Sequence, residues 1–476
     1  MYILVLESST TSAKAMLYDV EKHEYTVKAQ AYTSQYEDLT VHNAEQVFQE
    51  TIALGRTLCR NRKIELIALS GTWHSLLLCD ENMKPQTPVY LWSYTGAAKL
   101  CKELRKDRAY TKEFYQKTGC MVNAIYPAFK LKLLKEKGHT LDHCFIEGQG
   151  TYNLFRLTGE RVTMDSMASG TGLLNIHTKQ YDQDILLDLG IKESQLSRLV
   201  TYKDTVPLSE EGAQMLGVDR GIPVMPTGPD GGLNQVGAGA IGDGVMTFSV
   251  GTSGAIRLSA QRPIIPEVPS TWCYLSPKGW LSGAATSGSC NCIDWFKNKM
   301  FPSGTTYDEI EKGFSGAGST PVFLPFLYGE RCPGWQDDRN AGFFDVRPSH
   351  SVNDFYHGVM EGVLFNLYQC YEILTKLNGI PQKIKLSGGI LHSAYWTQMC
   401  ADIFGTDMVI DQTEHSSLLG GAALGLELLG QVKDAAGFMD ENTKLIHYNS
   451  GKVDFFSKKY RRYKYWYDQI NPDIKY

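Results

Sequence analysis

The sequence predicts an α/β protein built from two related halves. Two apolar runs at residues 3–6 and 15–19 flank a polar turn, a pattern typical of a β-hairpin. A similar pair of runs, at 245–250 and 255–259, flanks a second short turn about 240 residues later. Helix-like and strand-like segments alternate after each hairpin, so both halves are expected to mix helices and strands.

Glycine marks the junction between the halves. The chain has 476 residues and 45 Gly, and nine of these glycines lie between Gly228 and Gly254. A chain of this length is expected to form two or three domains. Together with the repeated hairpin, the glycine-rich segment predicts two domains, at residues 1–241 and 242–476.

The remaining elements follow from the spacing of apolar residues. Helical spacing predicts a helix at 43–60 and a long amphipathic helix at 352–377, which Asn378 and Gly379 would end. Short apolar or small-residue runs predict strands at 64–70, 384–386 and 408–410, and helices at 395–404 and 420–429.

Composition and charge argue against several classes of protein. The net charge is −5, from 47 basic and 52 acidic residues, whereas a nucleic-acid binder usually shows a basic footprint. The basic and aromatic segment at 458–467 is therefore read as a terminal helix with Tyr on one face. The chain start lacks the pattern of a signal peptide, and no apolar run is long enough to span a membrane. Eleven scattered Cys predict a cytoplasmic protein with reduced thiols.

Both hairpin turns are candidates for binding phosphate groups, which need backbone N–H groups in tight turns and small hydroxyl side chains. The first turn supplies Thr10, Thr11 and Ser12 with Lys14 behind them, and the second supplies Gly251, Thr252 and Ser253. Each turn alone is equally an ordinary hairpin connection. Glu7 precedes the first turn and could hold Mg²⁺ through its carboxylate, or it could be a solvated strand end.

Asp230 is the candidate general base. It lies in the run Thr-Gly-Pro-Asp-Gly-Gly at 227–232, where the flanking glycines leave its carboxylate accessible. In phosphoryl transfer to an alcohol, such a residue orients the hydroxyl group and accepts its proton. The same composition is also frequent in tight turns, and local composition alone favours that interpretation.

Sugar and nucleotide contacts have weaker signals. Trp73, His74 and Trp92 follow strand-like runs and suit sugar recognition, although each could equally be a core residue. Gly388 and Gly389, with Ser393 nearby, would let a nucleotide lie against bare backbone, although a Gly pair alone indicates only a turn.

Taken in order, these segments resemble the FGGY carbohydrate kinases, which belong to the actin-like ATPase superfamily. The resemblance covers about residues 2–430 and rests on the following runs: ESSTTSAK at 7–14, SGTWH at 70–74, Asp230 with Gly231, Leu233 and Gly237, SVGTSGAIR at 249–257, LPFLYGERCP at 324–333 and the segment 387–402. Glu7 and Ser9 stand where the family usually has Asp and Gly, and residues 93–96 replace a run that usually contains Asp and Arg.

The resemblance implies two actin-like, ribonuclease H-like domains around a central cleft. It also implies an ATP- and Mg²⁺-dependent kinase of a small sugar or sugar acid, with Asp230 as catalytic base. A homodimer is a further expectation. Trp73, His74, Trp92 and Asp230 would meet the sugar. Thr10, Thr11, Ser12, Lys14, Gly251, Thr252, Ser253, Gly388, Gly389 and Ser393 would meet the nucleotide, and Glu7 the metal.

Within the family the match is best to gluconokinases, which implies phosphorylation of gluconate to 6-phosphogluconate. Xylulokinases share much of the pattern, so a kinase of xylulose or another polyol is the first alternative. A non-catalytic sugar-binding or nucleotide-binding regulator is the second, because Glu7, Ser9 and the run 93–96 depart from the family pattern. A nucleotide-dependent chaperone or filament subunit on the same core fits Asp230 and the Trp73-His74 pair poorly.

Overall fold

A computed structural model describes residues 1–33, 36–242, 244–313, 319–438 and 444–470. The strands are β1 Tyr2–Ser8, β2 Ser12–Asp19, β3 Glu24–Ala31, β4 Val41–His42, β5 Ile64–Gly71, β6 Leu77–Cys79, β7 Val89–Tyr90, β8 Phe145–Glu147, β9 Val162–Met164, β10 Leu174–Asn175, β11 Gln180–Tyr181, β12 Arg198–Val200, β13 Val206–Pro207, β14 Pro223–Pro229, β15 Val245–Val250, β16 Gly254–Ala260, β17 Trp272–Ser276, β18 Gly279–Thr286, β19 Val322–Leu324, β20 Gly342–Phe344, β21 Lys383–Ser387, β22 Met408–Ile410 and β23 Leu445–Ile446.

Helices connect these strands in both halves. The α-helices are α1 Ala44–Cys59, α2 Ala98–Leu104, α3 Arg108–Thr118, α4 Pro127–Glu136, α5 Gln149–Thr158, α6 Asp165–Ser169, α7 Gln183–Leu189, α8 Glu210–Leu216, α9 Asp230–Gly237, α10 Cys290–Met300, α11 Tyr307–Lys312, α12 Val352–Asn378, α13 Ala394–Phe404, α14 Ser416–Leu428 and α15 Ser450–Gln469. Short 3-10 turns occupy Glu193–Gln195, Gly389–His392 and Ala435–Phe438.

The two halves contain sheets of related topology. The first sheet has the order β13-β14-β5-β1-β2-β3 and the second the order β17-β18-β16-β15-β21-β22-β23. In each, the first strand of an antiparallel hairpin (β1 of β1–β2, or β15 of β15–β16) pairs in parallel with a later strand, β5 or β21. This shared order confirms the predicted duplication. The boundary between residues 241 and 242 stays a prediction.

Side-chain alternation explains why β1 lies at the centre of the first sheet. Leu4 and Leu6 belong to a core cluster that includes Phe48 of α1, whereas Ile3 and Val5 belong to another that includes helix α14. Because successive side chains of a strand point to opposite faces, β1 is buried on both sides and reads as a continuous apolar run.

Helix α14 is contributed by the second half of the sequence, yet it covers the first sheet. A Cβ atom added at Gly421 would contact Val5, and one added at Gly425 would contact Ile3 and Leu66. Small residues therefore let this helix lie close to β1 and β5. The two halves of the chain are consequently joined by packing and not only by the segment near residue 241.

The long helices begin and end at recognisable signals. Ser351 and Asp354 form a capping box at the start of α12, and Gly379 follows its last residue with φ +78°. Helix α15 buries Tyr460, Tyr463 and Tyr467 on one face, as the sequence predicts for the basic and aromatic segment. Among the described helices, none has the length and apolar character needed to cross a membrane.

Candidate functional site

Three parallel strands of the first sheet end at the same edge. Strand β1 pairs with β5, which places Glu7 beside Ser70, and β5 pairs with β14, which places Gly71 beside Pro229. Asp230 follows Pro229 as the first residue of α9. Ligands of open α/β sheets bind outside the carboxyl ends of the strands, so this edge is the candidate site on the first half.

The carboxylate of Glu7 is buried and already has partners. Lys14 Nζ lies 2.6 Å from Oε1, and the hydroxyl group of Ser70 donates to Oε2 at 3.0 Å. Lys14 is partly exposed, whereas Glu7 is only 1% exposed. The structure thus brings together the residue predicted to hold a metal and the lysine predicted to meet phosphate.

The carboxyl group of Asp230 has a raised pKa. Burial and the nearby Glu7 raise it, and backbone N–H groups of Gly231 and Trp73 and the charge of Arg257 lower it, which leaves the pKa at about 6. The N–H group of Gly231 donates to Oδ1 at 2.7 Å. Such a carboxylate is ionised at neutral pH and is basic enough to accept a proton.

The first hairpin turn is stabilised by its own side chains. The hydroxyl group of Ser9 donates to the carbonyl oxygen of Ser12 at 2.7 Å and accepts from the N–H group of Ser12 at 3.2 Å. The indole N–H of Trp92 donates to Thr10 Oγ1 at 3.0 Å. Trp92 is 40% exposed and therefore not a core residue. Thr11 is exposed at the tip of the turn.

The second hairpin turn lies against the start of helix α10. The N–H group of Cys290 donates to the carbonyl oxygen of Gly251 at 2.9 Å, and that of Asn291 donates to Thr252 at 3.3 Å. The side chains of Thr252 and Ser253 are exposed. These contacts fix the backbone of the turn and leave its two hydroxyl side chains on the surface.

Gly388 and Gly389 lie next to this second turn. Parallel pairing of β15 with β21 places Ser249 opposite Ser387, and Gly388 has φ +97°. A Cβ atom added at Gly388 would lie 2.6 Å from the carbonyl oxygen of Val250, so only glycine fits this close approach.

Ser393 caps the N-terminus of helix α13. Its hydroxyl oxygen accepts from the N–H group of Trp396 at the start of α13, and its O–H lies 2.9 Å from a carboxylate oxygen of Glu311. The structure therefore places Ser393 one short 3-10 turn after Gly389 and shows it capping a helix.

Aromatic side chains connect the two halves beside Asp230. Trp73 is buried, donates from Nε1 to the carbonyl oxygen of Ser166 at 2.9 Å, and lies with its ring 5.0 Å from that of Tyr274. A Cβ atom added at Gly231 would lie 2.8 Å from the Trp73 ring. Trp73 thus packs directly against the residue that follows the candidate base.

His74 is neutral and partly exposed. Its Nδ1 lies 2.5 Å from the carbonyl oxygen of Gly170, so this nitrogen carries the proton and Nε2 is left as an acceptor. Burial and the charges of Lys130 and Arg331 lower the pKa of His74 to about 3. Its ring also contacts Tyr126 and Tyr274, whose hydroxyl oxygens lie 2.7 Å apart.

Lys130 is a site residue that the sequence did not reveal. It is 1% exposed, and its ammonium group donates to the carbonyl oxygens of His74, Leu91 and Ile125 at 2.7, 2.7 and 2.9 Å. These bonds hold together the chain segments that carry His74 and Trp92. In the sequence it is one of four Lys in the segment 130–137, and nothing there distinguishes it from the exposed ones.

Two arginines were also missed as individual residues. Arg257 lies on β16, and Arg331 lies in the loop that follows β19. Both belong to runs that carry the family resemblance, but the runs alone do not show that the two side chains approach each other. Their only sequence signal is a basic residue inside a segment made mostly of apolar and small residues.

Comparison with protein families covers both halves. The N-terminal domain model of the FGGY family of carbohydrate kinases matches residues 2–237, and the C-terminal domain model matches residues 246–427. The two models together cover most of the chain and meet near the glycine-rich segment.

Individual relatives agree with this assignment. Gluconokinase of Bacillus subtilis (strain 168) is 28% identical, covering 97% of this chain and 93% of the relative, and xylulose kinase of Lactococcus lactis is 26% identical over 98% and 95%. Among solved structures, gluconate kinase from Lactobacillus acidophilus superposes with a TM-score of 0.93 at 27% identity, covering 98% of each chain.

A xylulose kinase from Lactobacillus acidophilus superposes equally well, with a TM-score of 0.93 at 27% identity and 99% coverage of both chains. The family models, the full-length relatives and the duplicated sheets lead to the same assignment. The chain belongs to the FGGY family of carbohydrate kinases and is an ATP-dependent phosphotransferase that acts on a small sugar substrate.

Proposed function

We propose that this kinase transfers the terminal phosphoryl group of ATP to the primary hydroxyl group of gluconate, giving 6-phosphogluconate. The observation that carries the transfer is the position of Asp230, whose carboxylate follows the parallel strand β14 and has a pKa of about 6. The acceptor is inferred from the relatives named gluconokinase and gluconate kinase, which match this chain over nearly its full length.

Asp230 would act as the general base. Its carboxylate would accept the proton of the acceptor hydroxyl group while the oxygen of that group attacks the phosphorus atom. The N–H groups of Gly231 and Trp73 hold the carboxylate in place. His74 would accept a hydrogen bond from a sugar hydroxyl group at Nε2, and Trp73 and Trp92 would border the sugar.

The two hairpin turns would hold the phosphates. Thr10, Thr11 and Ser12 would contribute hydroxyl and backbone N–H groups from the first half, and Gly251, Thr252 and Ser253 from the second. The exposed side chains of Thr11, Thr252 and Ser253 are consistent with this role. Gly388 and Gly389 would lie against the adenosine, with Ser393 at its border.

The donor set fits Mg²⁺ as kinases use it. This ion prefers oxygen ligands and is usually held by one or two carboxylates together with substrate phosphates. Glu7 would hold it, and Asp230 is close enough for Glu7 to raise its pKa. When bound, Mg²⁺ would neutralise charge on the phosphates. Lys14 contributes a further positive charge at the same carboxylate.

A ketose is the second candidate acceptor. The xylulose kinase from Lactobacillus acidophilus matches the fold as well as the gluconate kinase does. The two acceptors differ at one end, because gluconate carries a carboxylate where xylulose carries a neutral hydroxymethyl ketone. A positively charged residue that contacts this end of the acceptor would therefore favour gluconate over xylulose.

The pH dependence should follow the titration of Asp230. Only the ionised carboxylate accepts a proton, so kcat/KM for the sugar should be high above pH 7 and fall as the pH decreases through about 6. Arg257→Gln removes a charge that lowers this pKa and should move the acid limb to higher pH. ATP titrates identically with both enzymes, so the shift between them reports on the protein. An unchanged limb would argue against Asp230 as the titrating group.

Replacing Lys130 should impair sugar binding selectively. Lys130→Met removes the donor that the carbonyl oxygens of His74, Leu91 and Ile125 share, and leaves Leu91 only its bond from the N–H group of Tyr94. The loss is expected to raise KM for the sugar by about 10-fold while KM for ATP changes by less than about 2-fold. The matched control is Lys132→Met on the same helix, where the side chain is partly exposed and pairs with Asp188. Steady-state kinetics for both substrates would check this. An equal rise in both constants would show a general loss of structure instead.

Identification of the product tests the proposed function. Incubation with ATP and gluconate should give a single phosphate ester whose ³¹P and ¹³C NMR signals assign the phosphate to O6. Formation of another ester would refute the proposed acceptor position. Absence of any ester with gluconate and xylulose alike would favour a non-catalytic, sugar-binding regulator.

A further inference from the structure

Two arginine side chains beside the candidate base lie within electrostatic range of each other. Arg257 extends from β16 toward the first half of the chain, and its Nε lies 3.8 Å from the position a Cβ atom would take at Gly231. It is within electrostatic range of both Asp230 and Arg331. Arg331 in turn is near His74, Tyr126 and Tyr274. The pair therefore extends from the base toward the sugar-side aromatic residues.

Arg331 lacks a compensating carboxylate. Its Nε is buried and has no hydrogen-bond partner among the described residues. The neighbouring carboxylate of Glu330 is directed elsewhere, because it pairs with Arg339 and accepts from the N–H group of Gly334 and the hydroxyl group of Tyr467. Across the described part of the chain, neither Arg257 nor Arg331 forms an ion pair. Both side chains are only partly exposed. Charges with little access to water are normally paired, so this site favours an anion from outside the chain.

The backbone around Arg331 is held in place. The carbonyl oxygen of Arg331 accepts from the N–H group of Trp335 at 2.6 Å, and the N–H group of Cys332 donates to Ala285 on β18 at 3.1 Å. Trp335 is buried and donates from Nε1 to the carbonyl oxygen of Ser270. The guanidinium group is thus presented by a loop that is bonded to strand β18 and to Ser270, which precedes strand β17.

We propose that Arg331, with Arg257 beside it, forms a binding site for the carboxylate of a sugar-acid acceptor. A guanidinium group matches a carboxylate in shape and charge and can bind it through two parallel hydrogen bonds. In a six-carbon acid the carboxylate and the primary hydroxyl group are at opposite ends of the chain. The acid would then bridge from Arg331 to Asp230, which fixes the hydroxyl end at the base.

The electrostatics support this placement. Burial lowers the pKa of Arg257, and the proximity of Arg331 lowers it further, whereas Asp230 alone opposes the effect. Arg257 and Arg331 together thus carry two positive charges, and Asp230 is the one carboxylate that acts on Arg257, which leaves a net positive charge around the two guanidinium groups. A neutral acceptor such as xylulose would leave that charge uncompensated, whereas an aldonate would neutralise part of it.

This inference rests on the proposed function only for the choice of acceptor, so binding is tested apart from catalysis. Calorimetry with a non-hydrolysable ATP analogue present would compare D-gluconate with D-glucitol, which differ only at the carboxylate carbon. The intact protein should bind gluconate about 10- to 100-fold more tightly. Arg331→Met should bring this ratio close to 1, and Arg331→Lys should give an intermediate ratio. Arg220→Met, at an exposed arginine, should leave the ratio unchanged.

The outcomes test the carboxylate site at Arg331 and the phosphorylation of gluconate separately. A preference for gluconate that persists in Arg331→Met, or its absence from the intact protein, would overturn the carboxylate site. A preference that depends on Arg331 without phosphorylation of gluconate would keep the site and refute the proposed function. Arg331→Gln, which keeps hydrogen-bonding groups without the charge, replaces Arg331→Met should the latter fail to fold.

Discussion

Asp230→Asn is expected to lower kcat by about 100- to 10,000-fold, the range in which removal of a general base acts. The amide is nearly the same size as the carboxylate and can still accept the N–H bond from Gly231, so the fold should persist. It cannot take up the acceptor proton at neutral pH. Affinity for ATP should change by less than about 2-fold, because the phosphate-binding turns are separate from Asp230.

A second partly buried aspartate, Asp165, supplies the matched control. Burial also raises the pKa of Asp165 to about 6, and this residue lies on helix α6, where it accepts from the N–H group of Ser166. Asp165→Asn should leave kcat within about 3-fold of the parent value, since the residue contacts no proposed substrate group. Comparable losses in both variants, or full activity in Asp230→Asn, would remove Asp230 as the base.

Gly237→Ala is expected to destabilise the protein strongly. Helix α9 and helix α14 cross here so closely that a Cβ atom at Gly237 would overlap the carbonyl oxygen of Ser416. Likewise, a Cβ atom at Gly420 would overlap the carbonyl oxygen of Leu233. Backbone atoms cannot move aside as a flexible side chain does, so each substitution should force the helices apart and cost about 3 kcal/mol.

Forcing the two helices apart should also lower activity, because helix α9 begins at the candidate base Asp230. Denaturant unfolding monitored by fluorescence should show a lower midpoint for Gly237→Ala and Gly420→Ala, together with reduced kcat. Gly242→Ala is the control, since its added Cβ atom would make only an ordinary contact of 3.6 Å with Val245. Unchanged midpoints in the two crossing variants would show that the helices do not pack as closely as described.

Local patterns in the sequence were sufficient to predict the repeated part of the fold. The two hairpins, helix α12 and strand β22 follow from apolar spacing, and their observed bounds agree with the prediction to within a few residues. The resemblance to the FGGY family then predicted that the two halves form two domains around a central cleft. These features are predictable because strand alternation and helical spacing are local signals.

Contacts between distant segments were not predictable in the same way. Helix α14 reads as a small-residue helix, but nothing in residues 416–428 indicates that it covers the sheet formed by the first half. Lys130 resembles the exposed lysines on its own helix. Arg331 is adjacent to Glu330, which suggests a local pair, whereas the structure pairs Glu330 with Arg339. The position of a helix, the burial of a lysine and the partner of an ion pair all depend on three-dimensional packing. None of them produces a local pattern in the sequence.

Glu7 and Ser9, which replace the usual Asp and Gly of the family, both form local hydrogen bonds. Glu7 keeps a carboxylate at the strand end, and Lys14 and Ser70 hold its two oxygens. The side chain of Ser9 turns back to bond with Ser12. Both residues are therefore accommodated by local hydrogen bonds.

A comparison of acceptors in an assay of ADP release tests the proposed gluconate kinase activity most directly. The purified full-length protein would be given ATP and Mg²⁺ with gluconate, xylulose, ribulose or glycerol, and kcat/KM would be determined for each. Gluconate is expected to give the highest value. A higher value for any neutral acceptor, or ADP release that no acceptor raises above background, would contradict that expectation.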